Sequence, residues 1–398
     1  MLERPGAWLS LLLIISGVVI SPFIQPPWFL AVIVIIFSLV LALIEKTRYI
    51  AIAIIVISGL YGLGILPLFV FSSTLAILGA GEIAFRAGKG GLSSYLLYIA
   101  GGATGCMLVM LYLGVVAPLV ILFGVVVAVL LKAILGERED ALMIEALGIA
   151  MTMALFHELD YQADLSLIAV AILVAFSFGY FAYRSRTADM SGLFSGALIG
   201  LILIVFAGVP WFLVMLAFFI LGSACTRYRF EYKEKLGVEQ SHGGARGYRN
   251  VFANGLVSAV AAVLYGVTGN PVFSAMFVGS VATAAADTVA SEIGVTGGRP
   301  WMITTFRRVD AGTNGGVTGI GEISALGSSV VISVVAFALG MISPVVMAIC
   351  VIAGVVGTNI DSLAGSLLEN RGLIGNAGTN ILGTLGGGLF ALGLLMLL

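Results

Sequence analysis

Charge is what this 398-residue chain has least of. Lys, Arg, Asp and Glu make up 10% of it and hydrophobic residues 60%. Mean hydropathy is +1.16 and long apolar runs recur from one end to the other, which excludes an ordinary soluble domain. Cysteine is scarce too. Cys106, Cys225 and Cys350 are widely separated and lie in or at the ends of apolar runs, so neither a disulfide framework nor a zinc site follows from them. Of the 2 histidines, His242 reads as a loop donor or a solvated residue rather than a metal ligand. A net charge of −1 gives no sign of a nucleic-acid partner. No small-residue cleavage signature clearly follows the apolar stretch after Arg4, so that stretch reads as a retained first helix.

What is present is a series of spans. Runs near 7–23, 27–44, 49–64, 66–84, 93–112, 115–134, 140–157, 165–183, 191–208, 211–226, 250–268, 271–290, 322–340, 344–358 and 379–397 predict an all-α, polytopic integral membrane protein with about 15 transmembrane helices. Charge tests the alternation. On this reading all 19 Lys and Arg fall on one face, and the turns around Gln25, Tyr61, Gly114, His157–Asp164, Gly208, Gly269 and Met341 carry none. Because short basic loops stay in the cytoplasm, the expected arrangement in the cell membrane is N-terminus cytoplasmic and C-terminus outside. The many glycines, 52 in all, suit close helix packing in lipid.

Composition divides the chain. Residues 1–183 read as an apolar helical scaffold whose few charges, such as Glu82 and Glu145, lie near span ends; residues 184–398, with longer and more specific loops, read as the working domain. Its central stretch runs from Ala282 to Gly321. Asp287 and Ser291 are four apart and share a helix face, with Glu292 close beside them, so a divalent cation would find oxygen ligands here. An ionisable group inside an apolar segment is costly and by default marks function. The competing reading is a helix end already in water, or a carboxylate paired with Arg299, Arg307 or Arg308.

Downstream, Ala311–Gly321 (AGTNGGVTGIG) offers backbone N–H groups with little side-chain obstruction. The glycine spacing is not that of a P-loop and no Lys-Ser/Thr follows; nor does a strand–helix–strand context support a dinucleotide site. An earlier loop, 227–249, carries Arg227, Arg229, Lys233, Lys235, Arg246 and Arg249, which either attract an anionic ligand or simply anchor the positive face. Its SHGGARGYRN segment opens a helix, a setting that suits phosphate. Asn250 and Asn254 share a face of that helix and either cap and pack it or touch substrate. A third loop, from Gly357, holds Asp361 at the end of an apolar run, followed by Asn376 and Asn380. Gly-Thr-Asn occurs at 312–314, 357–359 and 378–380, too short a string to establish a repeat.

In this order the segments ARGYRNVFANG, ATAAADTVASEIG, TTFRRVDAGTNGGVTGIG and NIDSLAGSLLEN, with the later asparagines, resemble the membrane family of plant phytyl-phosphate kinase and animal transmembrane protein 19. The resemblance runs from about Asp189 to the C-terminus and does not reach residues 1–183. It implies a CTP-dependent kinase that converts an isoprenoid monophosphate to the diphosphate. The central loop is also similar to that of CTP-using phosphatidate cytidylyltransferases and polyprenol kinases, with Ala311 where those have proline.

Residue chemistry and resemblance together give a set of expectations. Asp287 and Asp361, with Glu292 third, hold Mg2+ against nucleotide phosphates. Arg307, Arg308, Lys233 and Lys235 neutralise phosphate, with Arg246 and Asn254 nearby, and the amides of Gly312, Thr313, Asn314, Gly315 and Gly316 cradle the transferred group. Two other classes remain: a lipid cytidylyltransferase, and a transporter, which broken glycine-rich helices and buried acids also suit.

Overall fold

The computed structural model describes residues 15–43, 48–136, 138–236 and 245–398. Of the expected span at 7–23, residues 7–14 fall outside these residues and 15–20 are helical; His242 and the side chain of Lys235 also fall outside. Each of the fourteen expected spans from residue 27 onward is met by one helix. Among the described residues twelve are long and apolar enough to cross a membrane, and two, α1 (Pro27–Ala42) and α2 (Arg48–Gly62), are shorter. The chain divides into two compact units, Met1–Leu165 and Ser166–Leu398, one helix earlier than the expected boundary after residue 183.

The first unit continues with α3 (Leu68–Ala87), α4 (Leu92–Tyr112), α5 (Pro118–Leu135) and α6 (Ala141–Glu158). Small residues bring α3 and α4 together: Gly101 and Gly105 lie against Ala76, Ala80 and Ala84, with no side chain between the backbones.

The second unit comprises α7 (Leu165–Arg184), α8 (Met190–Ala207), α9 (Val209–Arg227), the short α10 (Phe230–Leu236), α11 (Tyr248–Thr268), α12 (Val272–Gly294), α13 (Gly319–Ala338), α14 (Pro344–Leu367) and α15 (Asn376–Leu397). Its axis is α12, buried along nearly its whole length and packed by α9, α11, α13, α14 and α15. The sequence explains why so many neighbours fit. From Ser274 to Ser291 α12 is mostly Ala, Ser, Thr and Gly, which lets backbones approach and hydroxyls bridge them. Thr283 Oγ1 donates to Gly279 O at 2.9 Å within the helix and to Ala353 O of α14 at 3.3 Å, while Ser280 bonds Ser258 of α11 at 2.8 Å. Gly357 of α14 and Gly387 of α15 both face the Thr283 hydroxyl so closely that a Cβ on either would collide with it.

Two features differ from the sequence reading. The helix expected to end near 358 runs to Leu367, so Asp361 sits in a helix and not in a loop; the connection to α15 is only 368–375. Thr358, Asp361 and Ser362 interrupt the apolar run without interrupting the helix, because they line a cavity instead of facing lipid, and Asn359 bonds Glu322 of α13. The Gly-rich stretch is also ordered as a hairpin: β1 (Trp301–Met302) pairs antiparallel with β2 (Gly316–Val317).

Candidate functional site

The C-terminal halves of α12 and α14, the N-terminal turns of α13 and α15, and the turn of the hairpin enclose a cavity of about 360 Å³. It lies at the end of the unit where the connections carry Arg227, Arg229, Arg249, Arg299, Arg307 and Arg308; the turns at the other end, 208, 268–271 and 339–343, contain no charge.

Local chemistry fixes each wall. Thr318 caps α13, accepting from Gly321 N at 3.1 Å and donating to Gly294 O of α12 at 3.3 Å, so one hydroxyl ties the start of one helix to the end of another. The hairpin is pinned to α14 and its end by Thr304 Oγ1 with Ser366 Oγ at 2.7 Å, and by Asn370 Nδ2 donating to Asn314 O at 3.0 Å. Gly315 is required at the tip. Its φ is +79°, and a Cβ there would come within 2.7 Å of Ser362 O and 2.6 Å of Ser366 Cβ. Thr313 N and Gly316 N are already used within the turn, bonding Asp310 O and Thr313 O; the N–H groups of Gly312, Asn314 and Gly315 have no backbone partner among the described residues.

On the cavity floor the carboxyl groups of Asp287 (α12) and Asp361 (α14) face each other within hydrogen-bonding reach. Thr379, on the first turn of α15, donates its hydroxyl to Asn376 O at 2.9 Å. With its amide nitrogen turned toward Asp361, Asn380 donates to Oδ2 at 3.2 Å and to Asn376 O at 3.0 Å. Among the described residues neither aspartate is ion-paired with a cation. Two facing carboxylates without a counter-charge form an all-oxygen donor set that suits a hard divalent ion. No group of three or more His, Cys, Asp or Glu is poised for a metal among the described residues, so an ion on this pair would complete its shell with amide, water or phosphate oxygens.

Glu292, the third expected ligand, is engaged otherwise. The Lys233 ammonium, 2% exposed, bonds its Oε2 and also donates to Thr226 O at 2.9 Å and Cys225 O at 3.1 Å. Both residues line the cavity wall, and Glu292 Oε1 is buried without a partner. A pair of this kind offsets its own desolvation only while both members are present.

The structure thus brings Asp287, Asp361, Glu292, Lys233, Gly312–Gly316, Asn376 and Asn380 to one cavity. Arg307 and Arg308 are exposed and not part of its lining. Arg308 lies 3.6 Å above the centroid of the Trp301 ring and donates to Arg299 O, and Arg299 pairs with Asp310 at 2.9 Å on the surface. Arg246 and Asn254 line a neighbouring slot. Burial lowers the Arg246 pKa from the ordinary arginine value, and the charge of Glu292 opposes that shift through space. Residues that sequence reasoning missed are Glu322, which accepts from Asn359 Nδ2 at 3.1 Å, and Glu369 at the rim. An acid in the first turn of an apolar helix, four residues after the Thr318 cap, was the available signal for Glu322.

Residues 173–387 match the model of a family described as integral membrane protein DUF92. An uncharacterized membrane protein of Methanocaldococcus jannaschii is 30% identical over 58% of this chain and 96% of its own length. In Arabidopsis thaliana, the chloroplastic protein VTE6 is 33% identical over 46% of this chain and 56% of its own, and protein PGR is 27% identical over 51% and 79%. No solved structure matches the chain. The matched stretch contains every segment that carries the resemblance to the phytyl-phosphate kinase family and every residue lining the cavity, and the chain belongs to the integral membrane protein family DUF92.

Proposed function

We infer that the second unit is a lipid-phosphate kinase, transferring the terminal phosphoryl group of CTP to an isoprenoid monophosphate at the cytoplasmic face. The observation that carries this reading is the Asp287–Asp361 pair, ion-paired with no cation among the described residues, beneath a glycine-rich turn with free N–H groups. The resemblance to phytyl-phosphate kinase supports the choice of donor and acceptor, and the basic loops around the cavity mouth support the orientation.

Asp287 and Asp361 would hold Mg2+, which supplies charge neutralisation across the nucleotide phosphates. Asn380 keeps the Asp361 carboxylate aimed at the cavity, and the Lys233–Glu292 pair fixes the adjoining wall. The N–H groups of Gly312, Asn314 and Gly315 receive the oxygens of the transferred group. A phosphate oxygen of the acceptor attacks the terminal phosphorus, the bond to the bridging oxygen breaks, and CDP leaves with that electron pair. The acceptor is already an anion, so no proton need be removed. Positioning and charge stabilisation are the contributions the protein makes.

The test is direct: purified protein in lipid nanodiscs, incubated with Mg2+, each nucleoside triphosphate and phytyl or geranylgeranyl monophosphate, with products identified by mass. The expected products are the prenyl diphosphate and CDP. Pyrophosphate with a cytidylyl-lipid would make the protein a cytidylyltransferase instead. Solute flux in proteoliposomes without nucleotide turnover would make it a transporter.

A further inference from the structure

Next to the cavity is a second, narrower space among α7, α8, α9 and α11, lined mainly by glycine and apolar side chains, including Phe178, Gly196, Phe212, Met215 and Phe219. One charged group faces it. Arg246 is 6% exposed, with its guanidinium 5.5 Å from the centroids of both Phe218 and Phe219. Among the described residues no carboxylate lies within ion-pair distance of it; Glu292, the acid that acts on it through space, is committed to Lys233. Asn254 Oδ1, in the same lining, is likewise buried without a partner. A buried guanidinium is an expensive group to leave unpaired, and its flat fork matches the oxygens of a phosphate.

The position of Arg246 relates the slot to the cavity. A Cβ added to Gly222 would stand 2.6 Å from Arg246 Nη2 and 3.3 Å from Thr288 Cγ2, so the guanidinium lies against the residue that follows Asp287 and helps wall the cavity. Asn250 lines both spaces.

We propose that this slot is the acceptor site, with the phosphate of a prenyl monophosphate on Arg246 and its first isoprene carbons against Phe178, Phe212 and Phe219, so that lipid and nucleotide approach the reaction from different sides. The assignment rests on the kinase reading above. The chemistry of the lining selects the occupant: a nucleoside would bury ribose hydroxyls against aromatic rings without partners, whereas a prenyl phosphate is an anion joined to a branched hydrocarbon.

The full-length protein in phosphatidylcholine nanodiscs is irradiated with a prenyl monophosphate carrying a diazirine at its first isoprene unit. Label is expected on peptides of α7 and α9 that contain Phe178, Met215 or Phe219, suppressed by phytyl monophosphate and not by equimolar phosphatidylglycerol. Label confined to α13–α15, or equal suppression by phosphatidylglycerol, overturns the proposal. Two variants add a kinetic test. Gly222→Ala displaces the guanidinium while keeping its charge, and Gly196→Leu fills the slot at a position where a Cβ meets no atom within 4 Å. Each is expected to raise KM for the lipid by about tenfold or more and to leave KM for the nucleotide within about twofold. The reverse pattern overturns the assignment. Labelling of the slot without formation of diphosphate would sink the kinase reading and leave the slot; diphosphate formation with an unlabelled slot would sink the slot alone.

Discussion

In the first unit Glu82 is met by two cations, Lys132 at 2.7 Å and Arg86 at 2.9 Å, whereas in the second Asp287 and Asp361 face each other and, among the described residues, pair with no cation. All these acids occupy similar places, toward the ends of apolar helices, and hydropathy alone cannot tell them apart. Their surroundings do. Glu82 is closed by ion pairs within its own unit, and such charge holds helices together. The aspartates open into a cavity beneath free N–H groups, the setting in which a ligand would complete the charge.

The sharpest way to break this contrast is to neutralise one acid of each kind. Asp287→Asn or Asp361→Asn is expected to lower prenyl-phosphate turnover by about 10³-fold or more, roughly 4 kcal/mol of transition-state stabilisation, with the thermal unfolding temperature held or raised. Glu82→Gln should do the opposite: turnover per folded molecule unchanged, and stability lower by about 1–3 kcal/mol because Lys132 is left without its partner. Loss of turnover in Glu82→Gln, with the protein still folded, would erase the distinction between the units.

How legible this was follows from where the information lies. Spans were readable from Pro27 to Leu397 because lipid demands apolar length, and that demand is local in sequence. The continuation of α14 through Asn359, Asp361 and Ser362 was not, since polar residues that line a cavity look the same in sequence as polar residues that end a span. The hairpin at 301–317 rests on two residue pairs and ties to Ser366 and Asn370, too little pattern to register as strand. Asp287 and Asp361 stood out because each interrupts an apolar run, although their meeting required coordinates. The Lys233–Glu292 pair spans 59 positions, and nothing in either segment announces the other.

That pair offers the next test, because it borders the site yet is closed like Glu82. Lys233→Met leaves a carboxylate buried with no counter-charge and should cost about 3–5 kcal/mol of stability. Lys233→Met with Glu292→Leu should recover most of that. If the double variant is stable and still turns over substrate, the pair is architectural; if it is stable and inactive, Lys233 or Glu292 reaches the phosphates during the reaction.

A smaller effect is expected from Gly315→Ala, which places a Cβ at φ +79° and against Ser362 O. Strain of about 1–3 kcal/mol should appear as a displaced turn, with a higher nucleotide KM and little change in the unfolding temperature of the helices.

Smallest of all should be Arg308→Gln, and it bears on which charges belong to the site. Arg308 is exposed, stacked on Trp301 and bonded to Arg299 O, so removing its charge should cost about 0.5–1 kcal/mol of local hairpin stability. If the hairpin works in the conformation seen, the guanidinium remains outside the cavity and turnover should fall by less than about tenfold. A loss beyond about a hundredfold, with nucleotide binding intact, would mean that the hairpin swings Arg308 onto the transferred phosphoryl group. In that case the second unit would resemble the first more than it now does, because its open acids would acquire a cation during turnover that Glu82 holds at all times.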